Sequence, residues 1–580
     1  MTHKQNVTVL KFGSSVLRSE SDLPTAVHEI YRHWREGQQV IAVVSAFGDT
    51  TDALMRRAES VCGQPDKSAL AALLATGEAA SSALLSMALN KVGIPSRVLD
   101  AAQAGLRTVG GRLDADPIAI DAPRLLVESR RAVVVLPGFV GRGESGDTTL
   151  LGRGGSDLTA LFLAHRLHAR CVLLKDVDGL YTSDPVCTTV RASRFAQVSY
   201  ETAARLGGSV VQRKAVRFAE AHRLRFTITS IGAASATEVG LFSDRLNGSE
   251  TSIKPLRVAL LGCGTVGGGV YERLAALPEL FSITGVGERT GQGARAAGVP
   301  AHLITSDLEA LVDQPGDVVV ELIGGTKRAA SLTERALRLG RAVVSANKAL
   351  LAADGHPLET LSEESGASLR YSGAVGGVLP ALEAIRQAKK LGPLKRFSGV
   401  LNGTCNFVLD RLAAGETMSA AVRAAQDLGF AEPHPKLDLM GIDAAQKLVL
   451  LTYAAFDIKI SLQSIYRQGI DVLHSATVRE TQKRGRTIRL IAECQRTPQG
   501  VEASVKPTEL PLDHRLAQVR GAENCLLIEP EVGEPLVVSG KGAGRWPTTE
   551  AVMADLFDVR CQIQLAGSVE EIEEREECVA

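Results

Sequence analysis

The stretch Arg257-Val-Ala-Leu-Leu-Gly-Cys-Gly-Thr-Val-Gly267 decides the fold of the C-terminal half of this 580-residue chain. A short apolar strand runs into a glycine-rich turn and then into a helical pattern, the context in which a G-x-G-x-x-G motif becomes specific for a dinucleotide. Gly262 permits the tight turn, Gly264 lets the backbone approach a pyrophosphate, and Gly267 allows close packing of helix on strand. The stretch therefore predicts a dinucleotide-binding domain.

Residues on either side of this turn bear on which dinucleotide is bound. Thr265 and Val266 open the helix whose N-terminus would face the phosphates. The second strand, roughly residues 282–287, ends in Glu288 and Arg289. Glu288 could bond the ribose 2′-hydroxyl of NAD, whereas Arg289 could hold the 2′-phosphate of NADP. Both NAD and NADP stay open as cofactors of a Rossmann domain.

Length and composition limit the class of protein. A chain of 580 residues is too long for one hydrophobic core, and 45% apolar with 22% charged residues is ordinary for a soluble globular protein. Lys+Arg and Asp+Glu both total 65, so no net charge would recruit nucleic acid or an anionic membrane. No apolar run approaches 18 residues. The polar N-terminus and nine cysteines without a CxxC spacing predict free thiols in a reducing cytoplasm.

The first 245 residues predict a second α/β unit, because short apolar strands alternate there with helical periods. Residues 243–256 are polar and contain Gly and Pro, which is typical of a linker. The expected strands are Val7–Leu10, Val40–Val44, Ala132–Leu136, Cys171–Leu174 and Phe226–Ile231.

Phosphate-binding features follow the strands of this unit, although it lacks a G-x-x-x-x-G-K-[ST] loop. Lys11 and Gly13 follow the first strand and combine a cation with a small-residue turn whose amides can face phosphate oxygens. A glycine-rich turn at residues 151–157 opens the helical pattern 158–165, whose N-terminus suits an anion. Residues 175–185 add acidic, aromatic and turn residues. This order favours a nucleotide kinase, because phosphoryl transfer needs mainly positioning and charge neutralisation.

The N-terminal unit resembles the catalytic domain of aspartate kinases, which have the amino-acid kinase fold. The resemblance rests on Lys11-Phe-Gly13, Val43-Val-Ser-Ala46, Thr76-Gly-Glu78, Gly138-Phe139, Gly152-Arg-Gly-Gly-Ser-Asp157 and Asp176-Val-Asp-Gly179. It implies an aspartate site of Ser45, Glu78, Arg153 and Ser156, where an arginine fork suits a carboxylate and Glu78 suits an ammonium. It implies a site for ATP with Mg²⁺ from Lys11, Gly13, Lys175, Asp176, Asp178, Tyr181, Asp184 and Lys214, in which Lys11 neutralises the transferring phosphate.

Residues 256–566 resemble homoserine dehydrogenase, and the whole arrangement resembles the bifunctional aspartokinase/homoserine dehydrogenases. The motifs that carry the resemblance are Gly262 to Gly267, Ser345-Ala-Asn-Lys348, Leu401-Asn-Gly-Thr-Cys-Asn-Phe407, Gly429-Phe-Ala-Glu432 and the series Asp438, Gly441, Asp443 and Lys447. The implied substrates are aspartate, aspartate semialdehyde and homoserine, without a nucleic-acid or membrane partner. A homodimer or homotetramer formed through the dehydrogenase half is expected.

The chemistry of aldehyde reduction points to one lysine. Hydride transfer places negative charge on the carbonyl oxygen, so a cation or proton donor must stand beside it. The segment 441–449 reads as a helix start, and i,i+4 spacing puts Asp443 and Lys447 on one face. A neighbouring carboxylate would keep Lys447 protonated.

The resemblance assigns further roles in this half. Lys348 matches the family's lysine between nicotinamide and substrate. Glu432, Asp438 and Asp443 are expected to gather the substrate ammonium and to order Lys447. Gly429 and Gly542 are expected to approach the cofactor.

The kinase half departs from the family pattern at several positions. Ser14 replaces a usual Gly, Lys175 a Thr or Ser, and Val186 an Arg, while Val211-Gln-Arg-Lys214 replaces Leu-His-Pro-Arg. These changes leave two alternatives: an active aspartate kinase, or a silent domain that senses nucleotide or mediates assembly.

Two other departures concern regulation and metal. The family usually places paired ACT domains between kinase and dehydrogenase, whereas about ten residues join the two units here, so feedback binding of threonine or lysine is not expected. Ser372 stands where the family often has a Glu that helps to bind a monovalent cation.

The expected fold is α/β throughout, an amino-acid kinase fold joined to a Rossmann domain and an α+β catalytic domain. The expected boundaries are a kinase domain 1–245, a linker 246–255, a Rossmann domain 256–373 to which 541–566 return, a catalytic and dimerisation domain 374–540, and an acidic tail 567–580.

Overall fold

The computed structural model describes residues 6–183, 192–206, 208, 210–247, 254–432 and 434–579, with side chains as far as residue 564. Contacts divide the chain into two compact units. The N-terminal unit comprises Met1–Ile253 and Arg560–Ala580, and the C-terminal unit comprises Lys254–Val559. The predicted ATP-binding Asp184 and the departure Val186 lie outside the described residues, as do positions 248–253 of the expected linker.

The N-terminal unit is an α/β fold. Its strands are β1 (Val7–Phe12), β2 (Gln39–Val44), β3 (Ser96–Val98), β4 (Arg107–Gly111), β5 (Asp114–Ala119), β6 (Val133–Pro137), β7 (Val140–Arg142), β8 (Thr148–Leu150), β9 (Arg170–Lys175), β10 (Phe195–Ser199), β11 (Phe226–Ser230), β12 (Thr237–Gly240) and β13 (Arg245–Leu246). Its helices are α1 (Leu23–Arg35), α2 (Thr50–Val61), α3 (Lys67–Val92), α4 (Ala122–Ser129), α5 (Gly155–Leu167), α6 (Tyr200–Leu206) and α7 (Arg213–Ala221).

A nine-stranded sheet in the order β13-β10-β12-β11-β9-β1-β2-β6-β3 forms the core of this unit. β1 pairs in parallel with β2 and β9, and the three strands are almost wholly buried, as a parallel sheet covered on both faces requires. The five strands expected from the sequence are confirmed as β1, β2, β6, β9 and β11. Parallel pairing brings their carboxyl ends to one edge, where Lys11, Ser45 and Lys175 stand.

The polar stretch predicted as a linker begins later than expected. Arg245 and Leu246 form β13, which pairs with β10 through Gln197 and Phe195. Asp244 anchors this strand, because its carboxylate accepts hydrogen bonds from the Ser199 amide at 2.8 Å and the Thr202 hydroxyl at 2.6 Å. The polar sequence predicted no strand here, because β13 depends on its pairing with the distant strand β10.

Helix α3 is more apolar than the sequence analysis suggested. It is the one helix of the described residues whose length and composition would suit a membrane span. Half of its most apolar 18-residue stretch is buried, as in a helix that packs in a protein core. Its buried Ser81 and Ser82 donate to backbone carbonyls one turn earlier at 2.8 Å, which satisfies their hydroxyls inside the core.

The C-terminal unit contains two sheets. Its strands are β14 (Leu256–Leu261), β15 (Phe281–Gly287), β16 (Ile304–Thr305), β17 (Val318–Glu321), β18 (Ala342–Ser345), β19 (Leu369–Arg370), β20 (Leu394–Val400), β21 (Tyr466–Arg467), β22 (Arg486–Thr497), β23 (Gly500–Pro511), β24 (Glu523–Pro530) and β25 (Leu536–Lys541). Its helices are α8 (Thr265–Ala275), α9 (Gln292–Ala296), α10 (Leu308–Asp313), α11 (Lys327–Arg338), α12 (Lys348–Ser365), α13 (Ser372–Gly376), α14 (Ala381–Leu391), α15 (Gly403–Ala413), α16 (Met418–Asp427), α17 (Lys436–Leu439), α18 (Ile442–Phe456), α19 (Ser475–Lys483) and the first part of α20 (Arg545–Val579).

The first sheet has the order β16-β15-β14-β17-β18-β19, and every pairing in it is parallel. Renumbered from its first strand, this order is 3-2-1-4-5-6, that of a doubly wound dinucleotide-binding sheet. Strand order reverses between β14 and β17, and ligands of such sheets bind at the carboxyl ends beside that point. The expected Rossmann fold is thereby confirmed.

The second sheet, β21-β23-β22-β20-β24-β25, is mainly antiparallel and packs against helices that include α14, α15 and α18. α18 runs for 15 residues, and Leu448 and Leu451 on it are fully buried. The helix start predicted at 441–449 is confirmed, and the helix lies in the core. Its first turn carries Asp443, so burial of the helix fixes where that carboxylate lies.

The end of the chain differs from the expected boundaries. α20 is continuous from Arg545 to Val579. Phe557 on it packs edge-on against Phe281 of β15, with ring centroids 5.1 Å apart. Residues from Arg560 belong to the N-terminal unit, so the segment that returns to the Rossmann domain ends at Val559 rather than at 566. Side chains of the predicted acidic tail, 567–580, lie outside the described ones.

Candidate active sites

The glycine-rich turn after β14 has the stereochemistry expected of it. Gly262 has φ +95°, and a Cβ there would lie 2.6 Å from the Leu322 carbonyl oxygen. A Cβ on Gly267 would overlap the carbonyl oxygen of Gly262, so α8 can approach the strand only with glycine at this position. Gly264 faces open space within 4 Å. The turn can therefore admit a phosphate group beside the exposed start of α8, at Thr265, with Val266 half-buried behind it.

Glu288 follows β15 and is engaged by its own chain. Its carboxylate accepts hydrogen bonds from the amides of Gly293 at 3.2 Å and Ala294 at 2.8 Å, which satisfies the start of α9. Arg289 is exposed beside it. Glu288 is thus bonded within the protein, whereas Arg289 is exposed, although both directly follow β15.

A buried carboxylate organises a second group of predicted site residues in this unit. Lys447 lies 3.0 Å from Asp443 Oδ2, one helical turn away on α18. Lys348, the first residue of α12, donates to Asp443 Oδ1. Asp443 and Lys447 are 6% and 3% exposed. The two lysines predicted as catalytic are therefore held by one carboxylate, although they lie about a hundred residues apart in sequence.

Asn402 joins a second carboxylate to this group. It caps α15 by accepting a hydrogen bond from the Cys405 amide at 2.8 Å. Its amide nitrogen donates to Asp438 at 2.7 Å and to Asp443 at 2.9 Å. The motif Leu401 to Phe407 is recognisable in the sequence, but no role is predicted for Asn402 itself. The signal that could have found it is an Asn immediately before a helical run.

The backbone at Leu401 completes the position of Lys447. The Leu401 carbonyl accepts hydrogen bonds from Lys447 Nζ at 2.7 Å and from Asn524 Nδ2 at 3.0 Å. A Cβ on Gly542 would overlap the side chain of Asn524. Gly542 therefore makes room for an amide that supports the Lys447 site, and its approach to the cofactor stays a prediction.

Burial and the neighbouring opposite charges shift the pKa values of Asp443, Lys348 and Lys447 in opposite directions. Burial alone would raise the pKa of Asp443, but Lys447 and Lys348 outweigh it and hold the pKa well below its usual range. Burial would lower the pKa of Lys348, yet Asp443, Asp438 and Glu432 raise it. Burial does lower the pKa of Lys447 despite Asp443. Asp443 favours the charged form of Lys447, as the sequence predicted, but burial outweighs it and the pKa of Lys447 is lowered overall.

The remaining predicted substrate groups lie around this cluster. Burial, together with the charge of Asp443, raises the pKa of Asp438, so a cation beside it would be stabilised. Glu432 is exposed in the loop after α16, and its charge reaches Lys348. Gly429 begins that loop with φ +74°. These positions are compatible with a charged ligand that enters from solvent.

Ser372 is tied to acidic neighbours rather than open to solvent. Its hydroxyl lies 2.7 Å from Glu383 Oε1 and 2.9 Å from Asp555 Oδ1, and its amide donates to Asp555 Oδ2 at 2.8 Å. Within the described residues, no group of three or more His, Cys, Asp or Glu side chains could hold a metal ion. The sequence argues against the family's monovalent-cation site at this position, because Ser372 replaces its Glu, and that interpretation stays a prediction.

The N-terminal unit repeats the arrangement of one carboxylate between two lysines. Lys11 at the end of β1 lies 2.7 Å from Asp157 Oδ1, and Lys175 at the end of β9 lies 2.9 Å from Asp157 Oδ2. All three side chains are buried. A Cβ on Gly13 would lie 2.9 Å from Lys11 Nζ, so a larger residue would crowd the ammonium.

This second cluster carries one more positive than negative charge. Burial would raise the pKa of Asp157, but Lys11 and Lys175 lower it. Burial, together with the nearby charge of Lys11, lowers the pKa of Lys175 to about 8. An anion beside the two ammonium groups would relieve their repulsion. The cluster is therefore suited to a phosphate oxygen.

Glu78 on α3 is the most perturbed of the predicted aspartate-binding groups. Its Oε1 accepts a long hydrogen bond, 3.4 Å, from the Ala46 amide, and no partner of Oε2 is present in the described residues. Burial raises the pKa of Glu78 to about 7. Ser45 directly follows β2 and is half-buried. An ammonium group bound here would satisfy the open oxygen.

The other predicted residues of this unit are placed in two groups. Ser156 is buried at the start of α5 and lies so close to Gly138 that a Cβ on that glycine would be 2.6 Å from the Ser156 Cβ. Arg153 is exposed on the turn before the helix. Tyr181 donates to Asp178 Oδ1 at 2.6 Å, and Asp176 is exposed.

Lys214, predicted to bind ATP, has protein partners. Its ammonium lies 2.6 Å from Asp114 and 3.1 Å from Asp116, both on β5. It also donates to the carbonyls of Ala115 at 3.1 Å and Leu151 at 3.0 Å. Lys214 therefore joins α7 to β5 and to the glycine-rich turn that begins at Leu151. A contact with ATP stays a prediction.

Comparison with protein families agrees with both halves. The amino acid kinase family model matches residues 6–230. The homoserine dehydrogenase NAD binding domain matches residues 262–372, and the homoserine dehydrogenase family model matches residues 380–557. The matches together contain both lysine–carboxylate clusters and the glycine-rich turn.

Individual proteins resemble about half of the chain. A homoserine dehydrogenase of Pseudomonas aeruginosa is 36% identical over 320 residues, which cover 53% of this chain and 73% of that protein. One of Mycobacterium tuberculosis is 36% identical, with 52% and 72% covered. A crystal structure of a homoserine dehydrogenase from Thiobacillus denitrificans is 35% identical, covers 54% of this chain and 74% of its own, and has a TM-score of 0.51.

Burial of Glu78 predicts a pH-dependent stability of the N-terminal unit. A carboxyl whose pKa is raised to about 7 on folding binds its proton more tightly in the native state, so stability falls as pH rises from about 4.5 to 7. Glu78→Gln should remove this loss, worth on the order of 3 kcal/mol at pH 8. Hydrogen exchange of the β1 and β2 amides at pH 5 and pH 8 measures it. Exposed Glu59→Gln is the control, and an unaltered pH dependence in Glu78→Gln would contradict the assignment.

Proposed function

We propose two reactions for this chain, which belongs to the homoserine dehydrogenase family and joins an amino acid kinase domain to a dehydrogenase. The N-terminal unit uses Mg²⁺-ATP to phosphorylate L-aspartate to 4-phospho-L-aspartate. The C-terminal unit reduces L-aspartate 4-semialdehyde to L-homoserine with NADPH or NADH. The observation that supports this proposal most is the pair of lysines held by Asp443 in a unit whose Rossmann sheet carries a complete glycine-rich turn.

The reduction needs a proton for the oxygen as hydride reaches the carbonyl carbon. We assign that proton to Lys447, because burial lowers its pKa and so favours its release. Lys348 stays an ammonium group, since neighbouring carboxylates raise its pKa, and it would stabilise the negative charge that develops on oxygen. The carbonyl π electrons become the new O–H bond, and Lys447 regains its proton from solvent.

The substrate ammonium would bind on the acidic side of the cluster. Asp438 and Glu432 would lie on that side, and a cation would offset the burial and the Asp443 charge that together raise the pKa of Asp438. Asn402 keeps the two carboxylates at fixed positions. The site would therefore select an aldehyde that carries an amino group, such as aspartate semialdehyde.

The cofactor of the dehydrogenase is a nicotinamide dinucleotide, and NADP is our choice. Glu288 has its oxygens on the amides of Gly293 and Ala294, which leaves it less available to a ribose hydroxyl. Arg289 is exposed beside it and would suit a 2′-phosphate. Gly429 would lie near the cofactor as a further, untested contact.

The kinase reaction would use the second cluster. An oxygen of the aspartate β-carboxylate attacks the γ-phosphorus, the bond to the bridging oxygen breaks, and ADP leaves. Lys11 and Lys175 would neutralise the phosphate oxygens, with Asp176, Asp178 and Tyr181 on the nucleotide side. Arg153, Ser45 and Ser156 would hold the aspartate, and Glu78 would receive its ammonium group. Lys214 would contribute to the nucleotide side through the turn that it holds.

The short connection between the two units bears on regulation, and the dehydrogenase half bears on assembly. β13 ends at Leu246 and β14 begins at Leu256, which leaves no length for the paired regulatory domains of the bifunctional family. We therefore expect neither threonine nor lysine to inhibit the kinase. A cytoplasmic homodimer or homotetramer built through the dehydrogenase half, acting on small molecules only, completes the proposal.

The alternative function is a homoserine dehydrogenase whose kinase domain senses nucleotide or mediates assembly without turnover. The observation that favours it is the departure of Lys175 and Lys214 from the family pattern, together with the occupation of Lys214 by β5. ATP binding without phosphoryl transfer would support this alternative.

Removal of the Lys447 ammonium should abolish most dehydrogenase turnover. We expect Lys447→Met to lower kcat for homoserine oxidation by about 10²- to 10⁴-fold, the usual contribution of a general acid–base group. Steady-state kinetics measure the change, and formation of aspartyl hydroxamate on the same sample should be unaltered. Lys389→Met, which removes a lysine paired with Asp457 on the protein surface, is the matched control. Normal turnover by Lys447→Met would refute its assigned role.

Removal of the Lys11 ammonium separates the two candidate functions. Lys11→Ala should abolish ATP-dependent formation of aspartyl hydroxamate, because the transferring phosphate loses a cation, while homoserine oxidation continues at the wild-type rate. The wild-type chain must show the kinase signal for this comparison. Its absence in pure wild-type protein that oxidises homoserine would reject the kinase and favour the silent domain.

A further inference from the structure

Glu321 is a fully buried carboxyl with no assigned role. It is the last residue of β17, at the carboxyl edge of the Rossmann sheet beside the point where strand order reverses. Its oxygens accept hydrogen bonds from Ser345 Oγ at 2.7 Å, Ile323 N at 3.0 Å and Asn347 Nδ2 at 3.2 Å. It forms no ion pair within the described residues. A buried carboxyl without a cation depends on these donors, because each lost bond would leave charge unsatisfied.

The donors to Glu321 connect two strand ends with a helix. Ser345 ends β18, and its hydroxyl also accepts the Asn347 amide at 3.1 Å. Asn347 donates to the Gly325 carbonyl at 2.7 Å, in the turn that follows β17. The side-chain oxygen of Asn347 accepts the Leu350 amide at 3.2 Å, which caps α12. Glu321 thus joins β17, β18, the turn between them and the start of α12 in one network.

The residue that this network positions next is Lys348. It is the first residue of α12, directly after the Asn347 cap. The helix dipole disfavours a cation at this end, so the ammonium would turn away from the helix axis unless its backbone and partner are fixed. Asp443 supplies the partner, and the cap fixed by Glu321 supplies the backbone.

We propose that Glu321 is a positioning residue of the dehydrogenase, which sets the Asn347 cap and through it holds Lys348 against Asp443. This inference rests on the proposed dehydrogenase function. Burial raises the pKa of Glu321, and the hydrogen bonds from Ser345 and Asn347 oppose that shift, as expected of a carboxyl held by its donors. Glutamine cannot replace it, because an amide offers one acceptor oxygen where the carboxylate offers two.

The test is a double-mutant cycle of Glu321→Gln and Lys348→Met, assayed as homoserine oxidation by the full chain. We expect Glu321→Gln to lower kcat by roughly 10- to 100-fold, the scale of a misplacement of about 1 Å at a reacting centre. In the Lys348→Met background the same change should have no further effect on kcat, because its consequence passes through Lys348. Ser345→Ala, which removes one donor and keeps the carboxyl, should cause a smaller loss that also vanishes in that background.

A matched control separates the effect of removing any buried carboxyl from the effect of removing the one at position 321. Glu550 is equally buried in the same unit and lies 3.3 Å from Arg273. Glu550→Gln should lower the thermal midpoint and leave kcat unaltered.

Three outcomes distinguish the claims. Wild-type protein that cannot oxidise homoserine would overturn the proposed function itself. Active wild type with an unaltered kcat in Glu321→Gln would overturn the inference alone. Additive losses of kcat in Glu321→Gln and Lys348→Met would also overturn it. If Glu321→Gln does not fold, the same comparison is made with Ser345→Ala, alone and in the Lys348→Met background.

Discussion

One buried carboxylate, that of Asp443, holds the dehydrogenase site together. A carboxylate in a protein interior must be paired and hydrogen-bonded, and Asp443 meets this requirement with Lys348, Lys447 and Asn402. Its partners come from α12, α15 and α18, so the electrostatic requirement of a single group aligns three helices. The opposed pKa shifts of the two lysines follow from burial and charge. Burial and the charge of Lys348 lower the pKa of Lys447 by more than Asp443 raises it, whereas Asp443, Asp438 and Glu432 together raise the pKa of Lys348 against burial.

The kinase half also places one buried carboxylate between two lysines, but on different helices and strands. Asp157 stands between Lys11 and Lys175, which end two neighbouring parallel strands. Parallel strands deliver side chains to a common carboxyl edge, so a lysine at each strand end is brought to the same place without a dedicated loop. The excess of one positive charge suits a ligand of negative charge, whereas the acidic groups around Asp443 suit an ammonium. The two clusters therefore differ in the sign of the ligand that they attract.

Local sequence patterns predicted much of this chemistry and missed its support. The glycine-rich turn with the two strands beside it, the five strands predicted in the N-terminal unit, and the i,i+4 relation of Asp443 and Lys447 are short-range features, and the structure agrees with them. The bridge from Asn402 to two carboxylates and the contact of Gly542 with Asn524 join distant positions, which no local pattern encodes. The direction of the Lys447 shift depends on burial, and β13 depends on bonds to Asp244; both required tertiary structure.

The pH dependence of kcat for reduction of aspartate semialdehyde, in wild type and in Asp443→Asn, tests the central claim most directly. Asp443 raises the pKa of both lysines above what burial alone would allow. Its neutralisation should lower kcat and move the loss of activity at high pH to a lower pH, since both ammonium groups would lose their protons sooner. A variant with wild-type kcat and an unaltered profile would contradict the account.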